Sequence, residues 1–243
     1  MPFLDLATIN FIATLLSFTA SVTAHPTANL IREPKDSLGL AESSQAKFAG
    51  AILNVSIYDF VTTAFVIPGL YRTDSTASSV QRLNAFVGLQ CLSVVSAIVS
   101  FEISPNGTVE IFAPTVSPEV SFSVGDTAKI TIEMDDRGYN TIIDNLTTGL
   151  RTTGHIPTFG SPVCLNNKRP AILGIDESND DNSQSFVKFS SIEFYNTSAR
   201  TALGGSMVDL SGATVQNIVT ADGAILTSTT ITSSNITISY LSG

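Results

Sequence analysis

A chain of 243 residues that is 43% apolar can bury a continuous core, and only 14% of its residues are charged. Together with abundant Ser, Thr, Asn and Gly, this is the composition of a neutral, hydroxyl-rich extracellular surface. With 12 basic against 21 acidic side chains and a net charge of −9, the chain lacks the clustered cations that phosphate binding needs, which excludes a nucleic-acid partner and opposes anionic membranes.

Residues 1–24 read as a secretory signal: IATLLSFTASVTA supplies a short apolar core, and Val22, Thr23 and Ala24 are small residues ahead of a cut before His25. No other apolar run approaches the roughly 20 residues that a membrane span requires, so the expected product is secreted and free of the membrane once the signal is removed. Residues 25–47 are polar, mixed in charge and without a period, as in a propeptide or linker. A single folded domain is expected over 48–243, starting at FAGAIL.

Beyond that point period-two alternation recurs. Val120, Phe122 and Val124 share one side, as do Ala128, Ile130, Ile132 and Met134, and later Ile236, Ile238 and Tyr240. Turn signals separate these runs: PNG at 105–107, VGD at 124–126, DRG at 136–138 and ADG at 221–223. Many short strands without intervening helical stripes predict an all-β antiparallel sandwich.

Several chemistries find no support. Of two histidines, His25 sits at the expected cleavage point and His155 lies in GHIPTFG, with no nucleophile elbow in the chain. No clustered set of zinc ligands and no phosphate-binding glycine loop is present, so neither metal nor cofactor is expected. The run DESNDDN brings Asp176, Glu177, Asp180 and Asp181 together, but without the glycine and spacing of a calcium loop it reads as a solvated acidic loop. Glu102, Glu110 and Glu193 are candidates for paired catalytic carboxylates, and equally for outward-facing strand residues.

Cys91 and Cys164 are the two cysteines. In an oxidising compartment they suit one disulfide, stabilising by roughly 4 kcal/mol over such a loop, or they remain two buried thiols. Sequons stand at Asn54, Asn106, Asn145, Asn196 and Asn235.

Taken in series, FAGAIL near 48, AFVGL at 85, SVGDTAKITI at 123, NLTTG at 145, SIEFYNTS at 191 and LSGATV at 210 have the order and spacing of one family. The chain resembles the eqolisins, secreted fungal glutamic peptidases made with a propeptide. The resemblance implies two large antiparallel sheets in a concanavalin-like sandwich. It also implies a site in which a glutamate acts as general base on water and a glutamine amide holds the oxyanion, with a tryptophan and an aspartate nearby.

Residue by residue, the site does not carry over. The family's Trp-Val-Gly-Ile-Asp run falls on Phe86, Val87, Gly88, Leu89 and Gln90, and the catalytic glutamine on Ser96. The catalytic glutamate falls on Ala171, or on Arg169 in the register set by Cys164. None of these can serve as a proton-accepting carboxylate; the nearest carboxylates are Asp176 and Glu177, and the chain has no tryptophan.

The expectation is a secreted, monomeric eqolisin-like protein with impaired or absent proteolysis and a cleft for extracellular peptides, proteins or polysaccharides. One alternative is an active acid endopeptidase with relocated groups, Gln90 supplying the amide and Glu177 or Asp176 the base. Another is a carbohydrate-binding sandwich, for which Tyr139, Phe194 and Tyr195 would have to be exposed. Cys91 and Cys164 are expected to pair, since they lie near the two segments that would face each other across the ancestral site.

Overall fold

The period-two alternation becomes sixteen strands in the computed structural model, which describes residues 47–72, 79–91, 94–114, 120–158, 168–177, 187–202, 205–220 and 222–241. In chain order they are β1 (Phe48–Leu53), β2 (Tyr58–Val66), β3 (Leu70–Tyr71), β4 (Gln81–Gln90), β5 (Val94–Ile103), β6 (Val109–Phe112), β7 (Thr127–Met134), β8 (Gly138–Asn145), β9 (Leu150–Pro157), β10 (Ala171–Asp176), β11 (Lys188–Phe189), β12 (Ser191–Thr201), β13 (Met207–Val208), β14 (Thr214–Gln216), β15 (Thr227–Ile231) and β16 (Ile236–Tyr240). The expected signal peptide, and all of the expected propeptide except Lys47, lie outside the described residues.

Two large antiparallel sheets form, and the expected all-β sandwich is what the chain adopts. One sheet runs β14-β1-β10-β4-β5-β6, and the other β15-β16-β12-β2-β7-β8-β9, with β13 also paired to β12. Phe65 of β2 meets Phe101 of β5 across the interface at a ring separation of 6.4 Å, and packs on its cross-strand partner Phe194 of β12, in its own sheet, at 5.1 Å. All three rings are fully buried, each contributing roughly 1.5–3 kcal/mol by leaving water.

Alternation held where the turns allow it. Ala128, Ile130 and Ile132 of β7 and Ile236 and Ile238 of β16 are completely buried. The run at 120–124 behaves differently. Val120 and Phe122 are buried beside the end of β6, through Ala113 N–H to Val120 O at 2.9 Å and Phe122 N–H to Ile111 O at 2.8 Å. Val124 is 58% exposed, because the chain already turns there: Gly125 has φ +92°, and Asp126 accepts the Ser123 N–H at 2.8 Å.

Cross-strand register decides what each face carries, since directly opposed residues project to the same side. Phe101 points to the other sheet, so Val99 and Ala97 do too, with their partners Ala85 and Val87 on β4 and, through them, Ile175 and Leu173 on β10. The intervening residues form the outer face of the six-stranded sheet, turned away from the core.

Candidate functional site

Four rows cross that outer face. Thr214, Ile52, Ile172, Gly88 and Ser96 are directly paired from β14 to β5; then come Gln216, Gly50, Gly174, Phe86 and Ile98; then Phe48, Asp176, Asn84 and Ser100, with Phe112 of β6; and last Arg82, Glu102 and Glu110. Successive rows are two residues, or roughly 6.6 Å, apart.

The first row contains Ser96, and its other members are Thr214 of β14, two isoleucines and a glycine. Gly88 is constrained by packing: a Cβ there would stand 2.8 Å from Val94 Cγ1. Gln90 lies at the end of β4 opposite Val94, half-buried, with its N–H donated to Pro170 O at 3.0 Å. No carboxylate and no amide is paired across this row.

In the second row Gly50 and Gly174 face each other with φ of +154° and +152°, a region open to glycine. A Cβ on Gly50 would meet Leu173 O at 2.1 Å, and one on Gly174 would meet Ala49 O at 2.1 Å. The bare backbone leaves space for Phe48, whose ring packs on Phe86 at 5.6 Å and 55°. Phe86 is 6% exposed.

The third row holds a carboxyl and an amide in contact. Ser100 Oγ donates to Asn84 Oδ1 at 2.9 Å, and the Asn84 side chain hydrogen-bonds Asp176. Asp176 Oδ1 is buried with no hydrogen-bond partner among the described residues. Desolvation raises the Asp176 pKa above the usual carboxylate range, against an opposing pull from the Asn84 hydrogen bond. Asp176 thus ends β10 as a half-buried group and does not belong to a solvated loop.

The two positions expected from the sequence to correspond to the family glutamate lie elsewhere. Ala171 is fully buried in the core, paired with Leu89, so it projects to the opposite side of the sheet from Ser96. Arg169 is 8% exposed and is joined to β2 by Tyr58 N–H to Arg169 O at 3.0 Å and by its Nη1, which donates to Tyr58 O at 3.2 Å. Its Nε is buried without a partner among the described residues. Neither residue shares a face with Ser96.

The relocated grouping of Gln90 with Asp176 or Glu177 is not assembled either. Six residues of β4, roughly 20 Å, separate Gln90 from Asn84, which is paired with Asp176. Glu177 follows Asp176 and gives its N–H to Lys47 O at 3.0 Å. The amide that does reach the carboxyl, Asn84, is missed by the sequence reading. Its signal was parity: it lies two residues before Phe86, as Asp176 lies two after Gly174.

Among the other candidates, Glu102 is tied to Arg82 at 2.9 Å and sits opposite Glu110, while Glu193 on the other sheet accepts Asn235 Nδ2 at 3.0 Å. Tyr139 and Phe194 are buried in the core and Tyr195 is half-buried, so no aromatic platform forms from them. His155 is exposed on β9, its Nδ1 2.8 Å from Asn140 Oδ1.

Asn106 and Asn196 are exposed, and Asn54 and Asn235 half-buried. Asn145 is fully buried, donates Nδ2 to Ser121 O at 3.1 Å and Asp126 Oδ2 at 3.0 Å, and accepts the N–H groups of Thr147 and Thr148. It locks the β8–β9 turn and leaves no room for a glycan. Cys91 is disulfide-bonded; Cys164 lies outside the described residues.

The architecture is an antiparallel sandwich of two large sheets, and the comparisons supply the family. The Peptidase A4 family model matches residues 46–240, and the chain belongs to that family, the eqolisins. A structure of scytalido-glutamic peptidase with a peptide-based transition-state analogue is similar at TM-score 0.60 and 23% identity, covering 81% of this chain and 98% of that one. SCP-B, an eqolisin in complex with the tripeptide Ala-Ile-His, is similar at TM-score 0.61 and 22% identity, again over 81% and 98%. Aspergilloglutamic peptidase from Aspergillus niger is similar at TM-score 0.52 and 25% identity, over 66% of this chain and 99% of that one. No curated protein sequence matches.

Proposed function

We propose that this protein is a secreted member of the Peptidase A4 family with impaired or absent proteolysis, and that it holds extended peptide on the outer face of the six-stranded sheet. One observation carries the reading: the row containing Ser96 offers Thr214, Ile52, Ile172 and Gly88 as its other members, so it presents neither a carboxylate base for water nor an amide for an oxyanion. Loss of one oxyanion donor typically costs about 10²–10³ in rate, and loss of a general base about 10²–10⁴. The complexes of scytalido-glutamic peptidase and SCP-B with peptide ligands favour a peptide as the occupant of the corresponding surface.

Export removes residues 1–24 in this reading, and Cys91 pairs with Cys164. N-terminal sequencing of secreted material and mapping of non-reduced peptides check both; an intact leader or an alkylated Cys164 would contradict them.

The deciding experiment is acid proteolysis. Secreted protein, with and without residues 25–47, is incubated with denatured protein substrates, and circular dichroism monitors its fold. Product formation equal to the no-enzyme control is expected. A second reading, acid hydrolysis with Asp176 as base and Asn84 as oxyanion donor, is favoured by their contact. It predicts robust cleavage that Asp176→Ala abolishes and Ser96→Ala leaves intact.

A further inference from the structure

The two large sheets have four edge strands, and three of these are short or covered. β14 is three residues long. β6 is met by the segment at 120–122, through the Phe112–Ser121 bridge and the hydrogen bonds of Ala113 and Phe122. β15 is met by residues 216–218: Thr229 N–H donates to Asn217 Oδ1 at 2.8 Å, Thr229 Oγ1 to Gln216 O at 3.0 Å and Ile218 N–H to Thr227 Oγ1 at 2.8 Å. β9 differs. It is eight residues long, pairs with β8 without a bulge along its whole length, and carries no strand on its other side among the described residues.

One bond just beyond the strand shows which main-chain groups face outward. Thr158 N–H donates to Arg137 O at 3.2 Å, in continuation of the β8–β9 register. Hydrogen-bonded and non-bonded pairs alternate along an antiparallel ladder, so the even positions from 150 to 156 bond β8, while Arg151, Thr153 and His155 turn their N–H and C=O groups to the open side. Pro157, which has no N–H to offer, falls on the open side too. The protections that usually blunt an edge are missing: no bulge, no charge on the core side, and no proline inside the strand. Leu150 and Ile156, which are on the core side, are 51% and 46% exposed.

We propose that β9 pairs antiparallel with β9 of a second copy about a two-fold axis at Thr153, joining the larger sheets of the two copies into one, in place of the monomer expected from the sequence. The outward groups of Arg151, Thr153 and His155 then form about six main-chain hydrogen bonds.

Register selects a second copy as the occupant. Centring on Thr153 sets Leu150 of each copy opposite Ile156 of the other and Thr152 opposite Gly154, so each exposed aliphatic side chain is covered by its counterpart. Sliding by two residues in either direction sets Leu150 opposite Gly154 or Thr158 and Ile156 opposite Thr148 or Thr152, and the aliphatic pairing is lost. On the outer face Arg151 comes opposite His155, and each is already held within its own sheet, Arg151 Nε by Asp144 at 2.5 Å and His155 Nδ1 beside Asn140 Oδ1 at 2.8 Å. The long open edge of both copies is used up, so assembly closes at two. A seam one strand wide buries less than the roughly 1,200 Å² of a standard complex, so the dimer is reversible, with a dissociation constant on the order of 10–100 µM.

The test is sedimentation equilibrium of the full secreted chain from about 1 to about 500 µM, over which wild type should pass from monomer to dimer. Thr153→Pro removes an N–H that faces away from β8, a place where an edge strand tolerates proline. It should raise the dissociation constant at least about tenfold, through the two central bonds lost per dimer, with an unchanged circular dichroism spectrum. Leu150→Lys combined with Ile156→Lys sets like charges opposite each other at both ends of the seam and should weaken the dimer at least about tenfold, whereas Leu150→Lys combined with Ile156→Glu sets opposite charges there and should stay within about threefold of wild type. Both combinations lose the same aliphatic pair, and the like-charge one lowers the net negative charge of the chain, so general repulsion would order them the other way. Should the proline disturb the fold, the two charge combinations decide by themselves, since both positions are exposed. A wild type that stays monomeric throughout, or grows past the dimer, overturns the proposal. So does a folded Thr153→Pro that associates like wild type, or an opposite-charge combination no tighter than the like-charge one.

Discussion

Replacing Asp176 by Asn should stabilise the protein at neutral pH and leave it unchanged in acid. Burial raises the native pKa of this carboxyl, with the Asn84 hydrogen bond opposing. A raised native pKa means that the folded state prefers the protonated form. The favourable contribution is therefore complete below the unfolded value of about 3.9 and disappears as pH climbs through the native value. Above that window an ionised oxygen without a donor remains in the fold. Leaving a buried acceptor unsatisfied costs about 1–3 kcal/mol, more when it is charged. The isosteric amide removes the charge but not the unsatisfied site, so a gain of about 1–2 kcal/mol is expected, or about 2–8 °C in Tm for a domain of this size.

Urea denaturation of both proteins across the pH range, followed by far-ultraviolet circular dichroism because the chain has no tryptophan, measures the difference directly. Asp126 and Asp135 titrate in the opposite sense. Their pKa values are lowered chiefly by backbone N–H groups, of Ser123 and Arg137, so their contributions are present above the unfolded value and lost as pH falls. Both proteins share those groups, which cancel in the comparison. A difference that stays constant from about pH 4 to pH 7, or a wild type that gains on the variant as pH rises, would refute the argument that this carboxyl is penalised by desolvation.

Gly174→Ala should cost at least about 2 kcal/mol in the same assay, combining a φ of +152° with a Cβ 2.1 Å from Ala49 O. Gly107→Ala, at φ +86° with nothing within 4 Å of its Cβ, should lose only about 1 kcal/mol; equal losses would show that the close approach at Gly174 is unimportant. Asn145→Ala should lower stability by about 1–3 kcal/mol through the stranded partners of its amide. Glycopeptide mass spectrometry of secreted protein should find Asn145 unmodified, and a glycan there would contradict its burial.

The sequence by itself determined the class of fold. Alternation in β7 and β16 marks residues destined for one side of a sheet, because a strand's side chains repeat every two residues whatever it pairs with. Gly107 and Gly125, with positive φ, mark turns for an equally local reason. The order of six short motifs carried the family.

What a local pattern does not contain is the pairing of β4 with β10, strands more than eighty residues apart. A shift of one residue in that register exchanges the two faces. Ala171 and Arg169 were both compatible with the linear alignment, and pairing of Ala171 with Leu89 placed it in the core. The same register sets Asn84 opposite Asp176, joining an ordinary strand residue to the first member of an acidic run. Only the tertiary structure could reveal that pair, because desolvation and hydrogen bonding arise from neighbours that the backbone brings together, and the sequence order of those neighbours leaves them far apart.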